Sequence, residues 1–152
     1  MTKAKVYLLT GDIGGTNSRM SLYDLRSTSP KVYQEYRNEK YIPKVKRQEH
    51  DAFPTRIIVP FLEHCWKELG LETVNVEIVA CIATAGIVTD NMARLTNLDN
   101  LLISGNDIQH NTSDKFLKHV KRVVVINDFV AQGRLRSAMP MLLMLVAHSV
   151  EW

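Results

Sequence analysis

The stretch Gly11-Asp12-Ile13-Gly14-Gly15-Thr16-Asn17 decides the fold that this sequence predicts. Residues 6–10 before it are apolar and favour a strand, and residues 18–23 after it alternate between polar and apolar side chains. Two strands that flank a glycine-rich turn are typical of a β-hairpin. Residues 31–37 predict a third strand, with alternate side chains on opposite faces.

The middle of the chain predicts one long helix. Residues 38–49 are polar and basic, and they are expected to form a loop. Asp51 is a suitable cap for a helix that runs to about Leu69, and Gly70 is a suitable end for it. Pro60 is expected to kink this helix, because proline has no N–H to donate.

Two further apolar runs predict buried strands, over residues 76–84 and 122–126. A short hairpin is expected over residues 85–95, and Ser104 and Ser113 are each suited to begin a short helix. Hairpin strands followed by alternating helices and strands predict an α/β fold, with a mixed sheet and helices on its faces.

The glycine-rich turn has the composition of a phosphate-binding site. It lacks the Lys-Ser/Thr pair that ends a P-loop, and a strand follows it, which also excludes a dinucleotide-binding fingerprint. Glycines let the backbone approach an anion closely, Thr16 adds a hydroxyl donor, and Asp12 can hold Mg²⁺ through water. The alternative is a tight turn that needs glycine only for its shape.

A second polar pair, Asn127-Asp128, directly follows the predicted strand over residues 122–126. Open α/β sheets bind their ligands at the carboxyl ends of their strands. At such a place Asp128 can accept a proton from a substrate hydroxyl, and Asn127 can hydrogen-bond a neighbouring hydroxyl. The alternative is a simple helix cap. Together with the turn, the pair predicts phosphoryl transfer.

Residues 11–17 together with Ile126-Asn127-Asp128-Phe129 resemble the bacterial-type glucokinases of the hexokinase, actin and Hsp70 superfamily. Ala85-Gly86-Ile87-Val88 is similar to that family's Gly-Pro-Val turn, and Leu95-Thr96-Asn97 is similar to its Leu-Thr-Asn motif, although the usual Trp after it is missing. The resemblance covers about residues 6–133. It implies a ribonuclease-H-like mixed sheet with flanking helices, the small lobe of a two-lobed sugar kinase.

The resemblance implies ATP-dependent phosphorylation of glucose at its 6-hydroxyl, with Mg²⁺ as the metal. Asp128 would be the catalytic base, and Asn127 and Asp128 would bind the sugar. The phosphates of ATP would lie on a loop that comprises Gly11, Asp12, Ile13, Gly14, Gly15 and Thr16, with Asp12 near the metal. Such an enzyme is expected to act in glycolysis, in the cytoplasm.

The end of the chain departs from the family. Residues 1–133 are expected to form a glucokinase-like N-terminal lobe, whereas residues 134–152 form a Met- and Leu-rich tail that does not resemble the family. No part of the sequence corresponds to a second lobe, so the chain looks truncated. We expect little or no kinase activity from it alone, because half of a cleft cannot close around a substrate. The apolar tail is expected to pack back or to promote self-association.

Composition and charge limit the classes of protein to which this chain can belong. The 152 residues are 45% hydrophobic and 23% charged with a net charge of +3, which indicates a globular domain without the basic stripe of a nucleic-acid-binding protein. Cys65 and Cys81 lie in apolar segments and are expected to be buried, reduced thiols. The longest apolar run, residues 139–147, spans about nine residues, too few to cross a membrane.

Two alternatives to the glucokinase interpretation stay open. One is another sugar kinase of the superfamily, and the other is a non-catalytic nucleotide- or protein-binding fragment.

Overall fold

Eight strands and three α-helices are built from residues 3–128, the part of the chain that the computed structural model describes. The helices are α1 (Asn38–Tyr41), α2 (Val59–Leu69) and α3 (Gly105–Gln109). The strands are β1 (Lys5–Ile13), β2 (Asn17–Asp24), β3 (Val32–Arg37), β4 (Val76–Thr84), β5 (Val88–Thr89), β6 (Met92–Leu95), β7 (Leu101–Ser104) and β8 (Val120–Asn127).

A five-stranded mixed sheet, in the order β3-β2-β1-β4-β8, organises the described residues. The first three strands are antiparallel neighbours, joined by the glycine-rich turn and a second turn. Strands β4 and β8 run parallel to β1, and each needs a crossover, which for β4 contains α2. The predicted mixed α/β sheet and the hairpin around residues 11–17 are confirmed.

The main core lies between α2 and one face of this sheet. Successive residues of a strand point to opposite faces, so Leu9 of β1 and Ile78 and Ile82 of β4 reach the same side. They form one apolar cluster with Phe61 and Cys65 of α2, and all five side chains are fully buried. This packing fixes the strands whose carboxyl ends carry the polar motifs.

The predicted long helix is present, but its start is irregular. A π-helical turn spans Pro54–Ile58 and continues into α2, and its last hydrogen bond joins the N–H of Val59 to the carbonyl of Pro54. This wider turn lies next to Pro60, which has no N–H for an α-helical bond. Gly70 ends the helix in the left-handed conformation, with φ of 61°. Within residues 3–128, no helix combines the length and the apolar character that crossing a membrane requires.

The start of the helical region also differs from the prediction at Asp51. Asp51 accepts the N–H of Thr55 through its backbone carbonyl, at 3.1 Å. The residue before the π-helical turn is Phe53, and no side chain caps that turn. Burial of the apolar face of α2, rather than a cap, therefore holds this helix in place.

Two other segments differ from the sequence prediction. Residues 38–49 are not a loop throughout, because they begin with α1, in which the N–H of Ile42 donates to the carbonyl of Asn38 at 2.7 Å. The helix predicted to begin at Ser113 is instead a 3₁₀ turn at Leu117–His119. There the carboxylate of Asp114 accepts the backbone N–H of Leu117 at 2.9 Å and so caps the shorter turn.

A small antiparallel sheet of β5, β6 and β7 lies next to the main sheet. The hairpin of β5 and β6 is predicted by the sequence, whereas β7 is not, because a run of four residues is too short to distinguish a buried strand from a helical segment. Ser104 begins α3 as predicted, and its hydroxyl accepts the N–H of Asp107 at 3.3 Å.

Side chains cover the outer edge of β8. Asn91, in the turn between β5 and β6, donates from Nδ2 to the carbonyl of Val123 at 2.9 Å and accepts the N–H of Val125 at 2.8 Å. Gln109 of α3 accepts the N–H of Val123 at 3.0 Å. The amide of Asn91 therefore takes the place of a neighbouring strand and holds the small sheet against β8.

Candidate active site

The glycine-rich turn connects β1 to β2 at the carboxyl end of β1. The backbone N–H of Gly14 donates to the carbonyl of Asn17 at 2.9 Å and closes the turn. Gly15 and Thr16, at the tip, are exposed. The turn therefore presents glycine backbone and a hydroxyl at the edge where open α/β sheets bind their ligands.

A buried asparagine that sequence reasoning missed supports this turn. Asn38 is 1% exposed, and its Nδ2 donates to the carbonyl of Gly14 at 2.8 Å. Its Oδ1 accepts the hydroxyl of Ser18 at 2.7 Å, and its backbone N–H donates to the carbonyl of Thr16 at 2.8 Å. One signal could have revealed it, because Asn38 is two residues after the inward-facing Tyr36.

Asn97 packs against the tip of the turn. A Cβ added to Gly15 would lie 2.5 Å from Nδ2 of Asn97, so glycine lets the Asn97 side chain keep its place against the turn. Asn97 belongs to the Leu95-Thr96-Asn97 motif that marks the family resemblance. The structure thus assigns this motif a place beside the turn.

Two of the predicted phosphate-loop residues face the core. Ile13 is fully buried, and a Cβ on Gly11 would lie 3.2 Å from Sδ of Met20. Gly11 and Ile13 therefore pack towards the core at the end of β1, and only their backbone is available to a ligand.

Asp12 lies on the opposite face of β1 and is exposed. Its Oδ2 is 3.7 Å from Nη1 of Arg19, and Nε of Arg19 is 3.6 Å from Oε1 of Glu35. These side chains are about half exposed, so the ion pairs contribute little to stability. The Asp12 carboxylate therefore remains accessible to a cation or a water shell.

Asn127 and Asp128 lie at the end of β8. Nδ2 of Asn127 donates to the carbonyl of Gly86 at 2.8 Å, which ties the end of β8 to the turn before β5. Oδ1 of Asp128 is buried, and it has no hydrogen-bond partner among residues 3–128. A buried carboxylate oxygen without a partner is costly, and such groups are characteristic of sites where a ligand supplies the missing donor.

The strand register brings these parts to one edge of the sheet. Ile13, Thr84 and Asn127 are paired neighbours at the ends of β1, β4 and β8. Adjacent strands are about 4.8 Å apart, so the turn and Asn127 begin about 10 Å from each other. The glycine-rich turn and the Asn127-Asp128 pair therefore lie on the two sides of β4, at the same edge of the sheet.

A cleft of about 570 Å³ opens beside the turn. One wall combines the tip of the turn with the segment after β6, and the other is the segment after β3. Its lining residues are Gly15, Thr16, Asn38, Glu39, Ile42, Pro43, Lys44, Val45, Lys46, Asn97, Leu98 and Asp99. Neither Asn127 nor Asp128 lines it, so the turn borders two surfaces, this cleft and the edge that carries Asp128.

Two crystal structures of glucokinases have a similar fold. Glucokinase from an Antarctic psychrotroph aligns with a TM-score of 0.51 and 20% identity, over 82% of this chain and 33% of that protein. Glucokinase from Balamuthia mandrillaris, solved in complex with glucose, aligns with a TM-score of 0.53 and 20% identity, over 88% of this chain and 32% of that protein. At such identities the similarity shows the fold alone, a sugar-kinase fold.

Sequence comparison shows the family. Glucokinase of Synechocystis sp. (strain ATCC 27184 / PCC 6803 / Kazusa) is 32% identical over 132 residues, which cover 84% of this chain and 33% of that protein. The chain therefore spans about a third of the length of the relatives that it matches. A family model described as Glucokinase matches residues 9–143. The resemblance predicted from the motifs is confirmed, and the chain belongs to the glucokinase family.

Proposed function

We propose that this chain provides the phosphate-binding turn and the general base for the ATP-dependent phosphorylation of glucose at its 6-hydroxyl. The observation that carries the proposal is the buried Oδ1 of Asp128, which has no hydrogen-bond partner within residues 3–128 and lies on the same sheet edge as the glycine-rich turn. A sugar hydroxyl that donated to this oxygen would satisfy it and would be placed for proton transfer.

Asn127 is suited to position the sugar. Its Nδ2 donates to the carbonyl of Gly86 at 2.8 Å, which fixes the orientation of the amide beside Asp128. An amide held in this place is suited to hydrogen-bond a sugar hydroxyl next to the one that donates to Asp128. Asn127 would thereby orient the substrate, and Asp128 would take the proton as the hydroxyl oxygen attacks the γ-phosphorus of ATP and ADP leaves.

The turn fits the phosphates of ATP. Gly15 and Thr16 are exposed at its tip, and Asn38 and Asn17 fix its shape through the bonds to Gly14. A rigid backbone that needs no rearrangement can stabilise charge as it develops on the transferred phosphoryl group. The hydroxyl of Thr16 adds one further donor to an anion at this tip.

Asp12 fits Mg²⁺ as a single carboxylate ligand. Among residues 3–128 no three His, Cys, Asp or Glu side chains cluster as metal ligands. A single carboxylate suits Mg²⁺ better than it suits a metal whose ligands all come from the protein, because Mg²⁺ keeps several waters and binds phosphates. When bound, Mg²⁺ would neutralise phosphate charge during transfer, and Asp12 would hold it through water.

We further propose that residues 1–133 act as one lobe of the enzyme and that the residues beyond them form an apolar tail, which lies outside the described residues. One lobe supplies one side of the site and cannot exclude water by closure, so we expect little or no turnover from this chain alone. The buried thiols Cys65 and Cys81 suit the reducing cytoplasm, where such an enzyme would serve glycolysis.

A chimera tests the catalytic assignment. Residues 9–128 replace the matching segment of the Synechocystis glucokinase, and glucose phosphorylation is followed in a coupled assay. Asp128→Asn should lower kcat by at least about a thousandfold while MgATP binding is kept, because the variant cannot accept the proton. Asp90→Asn, in the exposed β5–β6 turn, is the matched control and should keep full activity. Retained turnover in the Asp128→Asn chimera would refute the base.

A binding experiment separates the kinase from the alternatives. The 152-residue chain is titrated with glucose, with other hexoses and with MgATP while its thermal unfolding is measured. Stabilisation by MgATP and selectively by glucose supports the proposal. Equal stabilisation by several hexoses would favour another sugar kinase of the superfamily, and none at all would favour a non-catalytic fragment.

A further inference from the structure

The cleft beside the phosphate turn has a second wall that carries positive charge. Gly15 and Thr16 line one side, and Lys44 and Lys46 line the other. The volume of about 570 Å³ lies within the range of small-molecule sites, about 300–1,000 Å³. The cleft is therefore larger than one phosphate requires and continues from the turn to the two lysines.

The acidic side chains of the cleft are already engaged. Oε1 of Glu39 lies 3.1 Å from Nη2 of Arg37. Oδ2 of Asp99 accepts the backbone N–H of Val45 at 3.2 Å. Lys44 and Lys46, in contrast, form no ion pair with any residue between 3 and 128. With Glu39 offset by Arg37, the two lysine charges exceed the one negative charge of Asp99, so the net charge of the cleft is positive.

The segment that carries the lysines is held in place rather than loose. Besides the bond from Val45 to the carboxylate of Asp99, the backbone N–H of Gln48 donates to the carbonyl of Asp99 at 3.2 Å. The side chain of Gln48 is buried and donates to the carbonyl of Pro43. These bonds fix both ends of the stretch that contains the lysines, so less conformational entropy is lost when an anion binds.

The same short segment also contacts the phosphate turn. Asn97 packs against Gly15, and Asp99, two residues later, anchors the lysine segment. Asp99 has a positive φ of 54°, a conformation that Asp and Asn tolerate better than most residues. Residues 97–99 thus set the spacing between the turn and the lysines.

We propose that Lys44 and Lys46 form a second anion subsite, so that the cleft binds a chain of phosphates that begins on the turn and ends against the lysines. This inference rests on the proposed function, because it takes the turn to hold the first phosphate. The ligand class is a linear triphosphate. Both a nucleoside triphosphate and inorganic tripolyphosphate present that chemistry.

The test uses the 152-residue chain and calorimetric titration with inorganic phosphate, inorganic tripolyphosphate and MgATP at low ionic strength, where such attraction is least screened. The variant Lys44→Gln/Lys46→Gln should bind tripolyphosphate and MgATP about tenfold more weakly and inorganic phosphate nearly unchanged. The control Lys67→Gln/Lys118→Gln removes the same charge from exposed sites outside the cleft and should bind all three as the unmodified chain does. Thermal unfolding of each variant checks that its fold is kept.

The possible outcomes distinguish this inference from the proposed function. If the unmodified chain binds none of the three ligands, both fail. If it binds tripolyphosphate and the two double variants lose affinity equally, the lysine subsite fails while the phosphate turn stands. A loss for MgATP but not for tripolyphosphate would assign the lysines to the nucleoside and would also overturn the subsite.

Discussion

The side-chain amide of Asn38 donates to the backbone carbonyl of Gly14 across 2.8 Å, and this bond ties the end of β3 to the glycine-rich turn. The amide oxygen accepts the hydroxyl of Ser18 at 2.7 Å in the same buried place. Every polar atom of the Asn38 side chain therefore helps to hold the turn in its conformation. The turn is formed without a ligand.

Asn38→Ala should destabilise the fold by about 2–4 kcal/mol, because it leaves the partly buried Gly14 carbonyl and the buried Ser18 hydroxyl without the partners that Asn38 provides. Ser18→Ala removes only one of these bonds and should cost about 1 kcal/mol. Urea unfolding followed by far-UV circular dichroism measures both values. Equal costs for the two variants would show that the bond to Gly14 contributes nothing.

Gly15→Ala should disturb the turn through Asn97. The new Cβ would lie 2.5 Å from Nδ2 of Asn97, and the end of that side chain would have to move. We expect a loss of about 1 kcal/mol in unfolding free energy and weaker binding of inorganic phosphate. The double variant Gly15→Ala/Asn97→Ala removes the clash and should recover most of the stability. A double-mutant cycle with no coupling between the two sites would contradict this contact.

Gly105→Ala should weaken the attachment of the small sheet of β5, β6 and β7 to β8. A Cβ at Gly105 would lie 2.3 Å from Nδ2 of Asn91, and displacement of that amide breaks its bonds to Val123 and Val125. We expect a loss of about 2–4 kcal/mol in unfolding free energy, similar to that of Asn91→Ala.

Gly70→Ala is the matched control for that experiment. Among residues 3–128, no heavy atom outside the adjoining chain lies within 4 Å of a Cβ at Gly70, but its φ is 61°, so the cost should be only about 1 kcal/mol of backbone strain. A smaller loss of unfolding free energy for Gly105→Ala than for Gly70→Ala would show that the hydrogen bonds from Asn91 do not hold the small sheet against β8.

The two cysteines should be unreactive in the folded chain. Burial raises the pKa of the Cys65 thiol to about 12 and that of Cys81 to about 11, from an ordinary value near 9. The reactive thiolate is therefore scarce at pH 8, and a disulfide reagent should modify both thiols only after unfolding, which absorbance at 412 nm records. Rapid modification of the native chain at pH 8 would contradict the burial of these thiols.

The same shifts predict how stability depends on alkaline pH. In the unfolded chain the thiols ionise near pH 9, whereas in the folded chain they remain protonated up to about pH 11. Their contribution to stability is therefore complete below pH 9 and is lost as the pH rises towards 11. Cys65→Ala/Cys81→Ala, compared with the unmodified chain in urea titrations between pH 8 and 10, should remove this component of the pH dependence.

The motifs themselves predicted the fold around the turn because their signals are local. A glycine-rich turn between two strand-like runs already implies the hairpin, and the apolar run over residues 76–84 gives β4 with the predicted bounds. The sequence predicts that Asn127 and Asp128 lie at a carboxyl edge of the sheet, and the parallel register of Thr84 with Asn127, the last residue of β8, agrees with that expectation. Their catalytic roles remain predictions.

The supports of the site were not predictable in the same way. Asn38 lies in a segment expected to be a loop, and Asn91 lies in the turn of a predicted hairpin. The position of Asn38 two residues after Tyr36 indicates an inward-facing side chain, but nothing near either asparagine reveals a partner 20 to 34 residues away. Asp51 and Ser113 illustrate a different kind of error. Local rules make each residue a suitable helix cap, but neither side chain caps the helix that was expected there.

The sequence by itself determined which groups the candidate site contains, namely glycines, a hydroxyl and carboxylates at fixed positions, and that the chain belongs to the glucokinase family. Only the tertiary structure decided where those groups meet, because parallel pairing of β1, β4 and β8 brings residues more than a hundred positions apart to one edge. It also decided that Lys44 and Lys46 line a cleft with Gly15. The physical reason is that hydrogen bonds between strands and between side chains depend on distances in space, which local composition does not encode.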